Sequence, residues 1–186
     1  MTGGVTIRAM ARDDLPVFFM YLNDHLQDNG SGGNARFMPL ARSESAFAPE
    51  KQAAFRSGID TPVGQPGWRR GWIALADDGS IAGHIDLRAR PEKGCAHRVL
   101  LGMGVRRDFR RQGLGAALQR VARAWAVGQQ FDWIDLEVLS VNDAARQLYA
   151  RAGFIQTGQI DDMFRIDGES FGYTFMSMQI KNTGAS

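Results

Sequence analysis

Arg110-Arg111-Gln112-Gly113-Leu114-Gly115-Ala116 is the stretch that decides the fold. Before it, Arg98 to Val105 is apolar nearly throughout, as expected of a strand covered on both faces. After it, Leu114, Leu118, Val121 and Trp125 recur at helical spacing. The stretch is therefore a loop running from a buried strand into the N-terminus of an amphipathic helix. Such a terminus exposes unpaired backbone N–H groups and a partial positive charge, and so attracts phosphate. Glycine lets phosphate oxygens approach the backbone closely. Arg106, Arg107, Arg110 and Arg111 add positive charge. The plainer alternative is a glycine-softened helix start with solvated arginines. Neither GxxxxGK[ST] nor GxGxxG is present, so two common nucleotide motifs are set aside.

Working outward, Val5 to Met10 reads as a short strand. Asp13 or Asp14 can cap a following helix, with Pro16 in its first turn and Leu15, Phe18, Phe19, Leu22 and Leu26 on one face. Asn29 to Asn34, rich in glycine, breaks that helix. Residues Ala35 to Gly67 carry little pattern beyond a short helix around Glu50 to Arg56. Trp72 to Ala76 and Ile81 to Arg90 read as a hairpin. Gly102 and Gly104 interrupt the apolar strand, which marks a bulge or a close approach by another group. Trp133 to Leu139 is a further strand, and Asn142 caps a helix ending at Gly153. Strands from about Phe154 and Phe171 flank an Asp167-Gly168 hairpin turn. The expected fold is mixed α/β, an α+β arrangement with a largely antiparallel sheet in one domain spanning 1–186.

Composition agrees. With 186 residues, 44% hydrophobic and 23% charged, the chain can build one sizeable core. Its 22 Lys and Arg against 20 Asp and Glu leave a net charge of +2, too balanced for a general nucleic-acid binder. No apolar run approaches the roughly 18 residues that span a membrane. Met1 to Asp14 lacks the apolar core of a signal peptide, so the cytoplasm is the expected location. The single cysteine, Cys95, forms no internal disulfide and has no readable activating partner. His25, His84 and His97 have no metal-ligand spacing, and no metal is expected.

A second block lies downstream: Leu136-Glu137-Val138, then Asn142, Ala145, Leu148-Tyr149 and Gly153-Phe154. The first block resembles the coenzyme A signature of the GCN5-related N-acetyltransferases, and the second is similar to that family's L-x-V…N…A…LY…GF segment. Together they cover about Arg98 to Phe154, in the family's order. The poorly patterned stretch 29–67 matches the region where these enzymes vary with substrate. The resemblance implies acetyl-coenzyme A (acetyl-CoA) as cosubstrate and an amine as acceptor, from a small molecule or a protein N-terminus. Charge balance and hydropathy point to no nucleic acid and no membrane as partners, and many relatives in the family pair as dimers.

The resemblance also implies roles. Met103, Gly104 and Val105 match the strand that pairs with the pantetheine arm, with a bulge aiming one N–H at the thioester carbonyl. Arg110, Arg111, Gln112, Gly113, Leu114, Gly115 and Ala116 match the pyrophosphate loop. Asn142 matches a cofactor contact, though a plain helix cap explains it equally. Tyr149 matches the general acid that protonates the leaving thiolate; its alternative is a core aromatic. Glu137 matches a carboxylate that acts as general base in some members; its alternative is an exposed strand residue on an unsettled face. His84, Asp86 and His97, on or beside strands next to the cofactor strand, are candidates for the acceptor side. An acyl-CoA-binding module without catalysis, or a transferase for longer acyl groups, are the rival readings.

Overall fold

The computed structural model describes residues 4–180. Residues 1–3 and 181–186, which the single-domain reading includes, lie outside the described residues. The elements run β1 (Thr6–Ala9), α1 (Leu15–Gln27), α2 (Pro49–Asp60), β2 (Arg69–Leu75), β3 (Ile81–Ala89), β4 (Arg98–Val105), α3 (Leu114–Gly128), β5 (Trp133–Leu139), α4 (Asp143–Ala152), β6 (Ile155–Ile166) and β7 (Glu169–Gln179). The seven strands form one sheet in the order β1-β2-β3-β4-β5-β7-β6, antiparallel at every pairing except β4 with β5. The expected mixed, largely antiparallel architecture is what the chain adopts.

Alternation along the strands sorts side chains to two faces. Ile85, Leu87, Val99, Leu101, Ile134, Leu136 and Val138 pack with Leu114, Leu118 and Ala122 of α3 and Tyr149 of α4. Ile73 packs with Leu15, Phe18 and Phe19 of α1 and Phe55 of α2 on the opposite face. No helix among the described residues is long and apolar enough to cross a membrane.

Local signals locate the elements well. Asn142 accepts a hydrogen bond from the Ala145 N–H at 3.3 Å, and Gly153 closes α4 in the left-handed region. Asp167 and Gly168 both have positive φ, 51° and 82°, as a two-residue type I′ hairpin turn requires. Two details differ from expectation. Asp14 sits at the start of α1, but its carboxylate binds Arg8 and the Ala11 N–H rather than capping the helix. The second helix runs Pro49–Asp60, longer than Glu50 to Arg56, because Pro49 starts it and Phe55 anchors it in the core.

Residues 29–67 are organised by a polar side chain. Asn29 is fully buried; its Oδ1 accepts from the Phe37 and Met38 N–H groups at 2.8 and 2.9 Å, and its Nδ2 donates to the Met38 carbonyl. Arg36 then pairs with Asp167 at 2.7 Å, and the Arg42 N–H bonds the same carboxylate. The α1–α2 loop is thereby tied to the β6–β7 turn.

Candidate active site

The sheet is split at its centre. β4 and β5 are paired only from Arg98 to Leu100 against Trp133 to Asp135. Beyond that point each strand remains paired on its other side, β4 with β3 and β5 with β7. The Arg106 N–H bonds the Ala82 carbonyl. By the alternation of an antiparallel ladder, Gly104 and Gly102 therefore also turn their backbone groups to β3. Leu101, Met103 and Val105 turn theirs the other way, toward β5. On β5, the Asp132 carbonyl bonds Ile180 and the Ser140 N–H bonds Gly172, so Glu137 and Leu139 face β4 by the same rule. The result is a wedge with two polar backbone edges.

A charged clamp holds its vertex. Asp135, 4% exposed, receives the Arg98 guanidinium in a two-pronged contact, Arg90 Nη1 at 3.0 Å and the Ser177 hydroxyl at 2.7 Å. Burial pushes this carboxyl up, but the bonds from Arg98 and Ser177 outweigh it and hold it below the usual carboxylate range.

The helix α3 begins beside the wedge. A Cβ on Gly115 would lie 2.9 Å from Leu148 of α4 and 3.4 Å from the Met103 side chain. Gly113, at φ 81°, is the N-cap, with no heavy atom within 4 Å of where a Cβ would stand. Arg111, Gln112 and Gly113 are exposed. Arg111 also has a positive φ of 60°. The arginine cluster divides: Arg107 and Arg110 are paired with Asp28, the C-cap of α1, and Arg110 also donates to the Val105 carbonyl and Asn34. Arg111 makes no hydrogen bond or ion pair among the described residues. Gln112 donates to the Asp108 carbonyl at 2.7 Å.

The expected bulge in β4 is absent. Val99 to Val105 keeps a continuous register with β3, and the two glycines instead accommodate close neighbours. A Cβ on Gly104 would meet His25 Nε2 and His84 Cε1, each at 2.8 Å. One on Gly102 would meet Asp86 Oδ2 at 2.8 Å.

Tyr149 is buried against Phe154, with ring centroids 5.7 Å apart. Burial raises its phenol, so it stays protonated at neutral pH. Leu136 and Val138 point into the α3-side core, so Glu137 projects from the opposite face, where it is exposed. Tyr173 of β7 stands close by; burial first, then the negative charge of Glu137, pushes its phenol up to about 12. Nothing in the sequence singled out Tyr173, because its partner strand was unknown.

His84 and Asp86 share the α1 side of β3. His84 Nδ1 lies 3.2 Å from the Tyr21 hydroxyl, which donates to the Gly104 carbonyl at 3.3 Å. With its one proton given to the carbonyl, Tyr21 accepts from His84, which assigns the proton to Nδ1. Asp86 is paired with Arg69 at 3.0 Å and Arg88 at 3.3 Å. His97 is not part of this group. It is exposed and precedes β4, at the end opposite Gly104. Adjacency in sequence to β4 does not bring His97 to the end of that strand where Gly104 lies.

Burial depresses His25 to about 4 and His84 to about 3. In the unfolded chain both titrate near 6.5, so between these values the unfolded state binds more protons. Their contribution is whole above about pH 6.5 and is lost on acidification from pH 6 toward pH 4, at up to about 1.4 kcal/mol per pH unit for each histidine. Melting curves between pH 7 and pH 4 should show this decline, and His25→Phe should make it shallower. An identical slope in that variant would remove His25 from the account.

The description "Acetyltransferase (GNAT) family" fits residues 40–154 of this chain. Over 92 residues the chain is 34% identical to an aminoglycoside N(6')-acetyltransferase type 1 of Klebsiella aerogenes, covering 47% of this chain and 60% of that one. Over 90 residues it is 33% identical to the N-acetylaspartate synthetase of Homo sapiens, covering 48% of this chain and 29% of that one. The chain thus matches less than two thirds of the length of either relative. In structure it is similar to a GNAT-family acetyltransferase of Streptococcus pneumoniae, with TM-score 0.76, 22% identity, and coverage of 95% and 99%. It is also similar to yncA of Salmonella typhimurium, solved with its cofactor acetyl-CoA, with TM-score 0.76, 18% identity, and coverage of 97% and 96%. With the split sheet, the glycine loop at α3 and a family match over more than half its length, this chain belongs to the acetyltransferase (GNAT) family.

Proposed function

We propose that this protein transfers an acetyl group from acetyl-CoA to a primary amine by direct attack in a ternary complex. The wedge between β4 and β5 carries the reading. An extended pantetheine arm has amides that suit the outward N–H and C=O groups of Met103 and the outward N–H of Val105, whose carbonyl Arg110 already engages, much as an added strand would. The donor set at the wedge mouth suits a pyrophosphate: the free N–H groups at Leu114, Gly115 and Ala116, the open space at Gly113, the Gln112 backbone and the unpaired Arg111. Gly104 sets the strand's approach to α1. Asn142 is engaged as a helix cap, which leaves its amide Nδ2 for a cofactor contact. Arg110 holds the loop to β4 and α1 rather than reaching the phosphates.

Tyr149 supplies the proton to the departing thiolate. Glu137, on the acceptor face, receives the amine's proton directly or through water. A backbone N–H at the edge of β4 stabilises the oxyanion. His84 and Asp86 shape the floor on which the acceptor rests. The named relatives act on amines of an aminoglycoside and of aspartate, which favours a primary amine of a small molecule over a protein N-terminus. The protein works in the cytoplasm, without a metal, and pairing into a homodimer is compatible with the family.

The deciding experiment is thiol release from acetyl-CoA across a panel comprising kanamycin, L-aspartate, n-butylamine and an alanine-terminated peptide. Turnover with any of them supports the reading. Calorimetric binding of acetyl-CoA without turnover would instead favour a binding module, and faster turnover with longer acyl-CoA the longer-chain transferase. Arg111→Gly tests the loop separately. It relieves a left-handed residue but adds backbone entropy to the unfolded chain, so stability should stay within about 1 kcal/mol. Acetyl-CoA affinity should fall several-fold and lose part of its salt dependence. Unchanged affinity would place the pyrophosphate elsewhere.

A further inference from the structure

His25 stands on the last turn of α1 and is 8% exposed. Its ring stacks on Tyr21, with centroids 5.8 Å apart and planes at 14°, and lies 4.8 Å from Phe37. His84 meets it edge-on at 6.4 Å. Its Nδ1 is sealed from solvent without a hydrogen-bond partner among the described residues. A buried imidazole lacking partners is costly, and a phenylalanine would fill the same aromatic niche without that cost. Nε2 is aimed at β4, lying 2.8 Å from where a Cβ of Gly104 would stand. Gly104 lies between Met103 and Val105, whose backbone groups edge the wedge. The imidazole therefore sits directly over the stretch of β4 that would receive the thioester.

We propose that His25 contacts the acceptor directly, its neutral ring accepting a hydrogen bond from the amine N–H and turning the nitrogen lone pair toward the thioester carbonyl. This rests on the acetyltransferase reading and adds to it the residue that positions the acceptor. The groups facing His25 are Asp24 from α1, Asp28 at its C-cap, His84 from β3 and Arg110 after β4. Asp28 is itself paired with Arg107 and Arg110. Burial keeps the ring neutral at physiological pH, the form that can accept. Tyr21 and Phe37 fix the ring plane, and the missing side chain of Gly104 gives Nε2 its approach.

The test compares the full-length parent with His25→Phe and His25→Gln, using whichever panel amine gives the parent its highest kcat/KM. Three quantities are read: kcat and KM for the amine, Kd for acetyl-CoA, and Tm. His25→Phe should lower kcat/KM for the amine by roughly 10–100-fold, mainly through KM, with Kd for acetyl-CoA unchanged and Tm equal or higher. Glutamine places an acceptor oxygen near the position of Nε2, so His25→Gln should recover most of the loss. Parental kcat/KM in His25→Phe overturns the proposal. So does an equal loss in both variants that follows a fall in Tm, which assigns His25 to packing. A parent that turns over no amine removes the acetyltransferase reading itself, whereas an active parent with active His25 variants removes only the role given to His25.

Discussion

Replacing Tyr149 by phenylalanine is expected to lower kcat by roughly 10²–10⁴-fold, the range that general acid catalysis supplies. The substitution keeps the ring that packs against Phe154 and deletes only the hydroxyl. That hydroxyl belongs to a residue buried in the α3-side core, and burial raises its phenol. It therefore remains a proton donor throughout the neutral range. A coenzyme A thiolate leaves fairly readily, which puts the fall toward the low end. Acetyl-CoA affinity should be little changed. The measurement is kcat, Kd for acetyl-CoA and Tm in both forms, with chemistry shown to limit turnover. A kcat within about twofold of the parent is worth under ~0.5 kcal/mol of barrier and would falsify the acid role.

Asp135→Ala should be the most destabilising single change at the wedge. Removing the carboxylate strands Arg98 near the vertex, leaves Arg90 with Glu92 as its remaining carboxylate, and leaves the Ser177 hydroxyl without its acceptor. Breaking such a buried cluster costs about 3 kcal/mol here, the low end of the usual range because both arginines keep some solvent. For a chain of this size that is a fall in Tm of roughly 6–12 °C. Acetyl-CoA binding should weaken as well, because the three-residue ladder that sets the wedge angle loses its clamp. The pH dependence has a definite sign. A carboxyl held below its unfolded value stabilises above about pH 4 and loses that contribution as pH falls through its folded value. Acid destabilisation of the parent therefore begins with the histidines and is joined by Asp135 below about pH 4. A variant melting within 2 °C of the parent would show that the clamp adds little.

Much of this was legible from residue pattern. Strands β4 and β5 were bounded correctly because their apolar runs end at charged or turn residues, and α4 because Asn142 and Gly153 are unambiguous caps. The family blocks cover the two strands that flank the wedge and the loop that follows β4. The geometry between distant segments was not legible. Two glycines in one strand are compatible with either a bulge or close neighbours, and only the fold shows His25 and Asp86 occupying that space. The four arginines between 106 and 111 look alike in sequence, yet Asp28 at the end of α1 engages two of them, and Arg111 is unpaired among the described residues. His97 was grouped with His84 because strand order was read without strand direction. Residues 29–67 carry no periodicity because the anchor of their first part is one buried amide, Asn29, and such an anchor leaves no repeating signature.

Asp167 bears two obligations at once. It takes one of the two left-handed positions that close the β6–β7 hairpin, and its carboxylate holds Arg36 and the Arg42 backbone of the α1–α2 loop. Glycine or asparagine would satisfy the turn, but neither offers the charge that fastens the loop. Among descendants of this sequence, the turn and the α1–α2 loop are therefore not free to diversify separately. A lineage that changes Asp167 must find a new charge partner for Arg36 before it can reshape the loop. One that keeps Asp167 can vary the loop's length and tip while its two attachment points stay fixed.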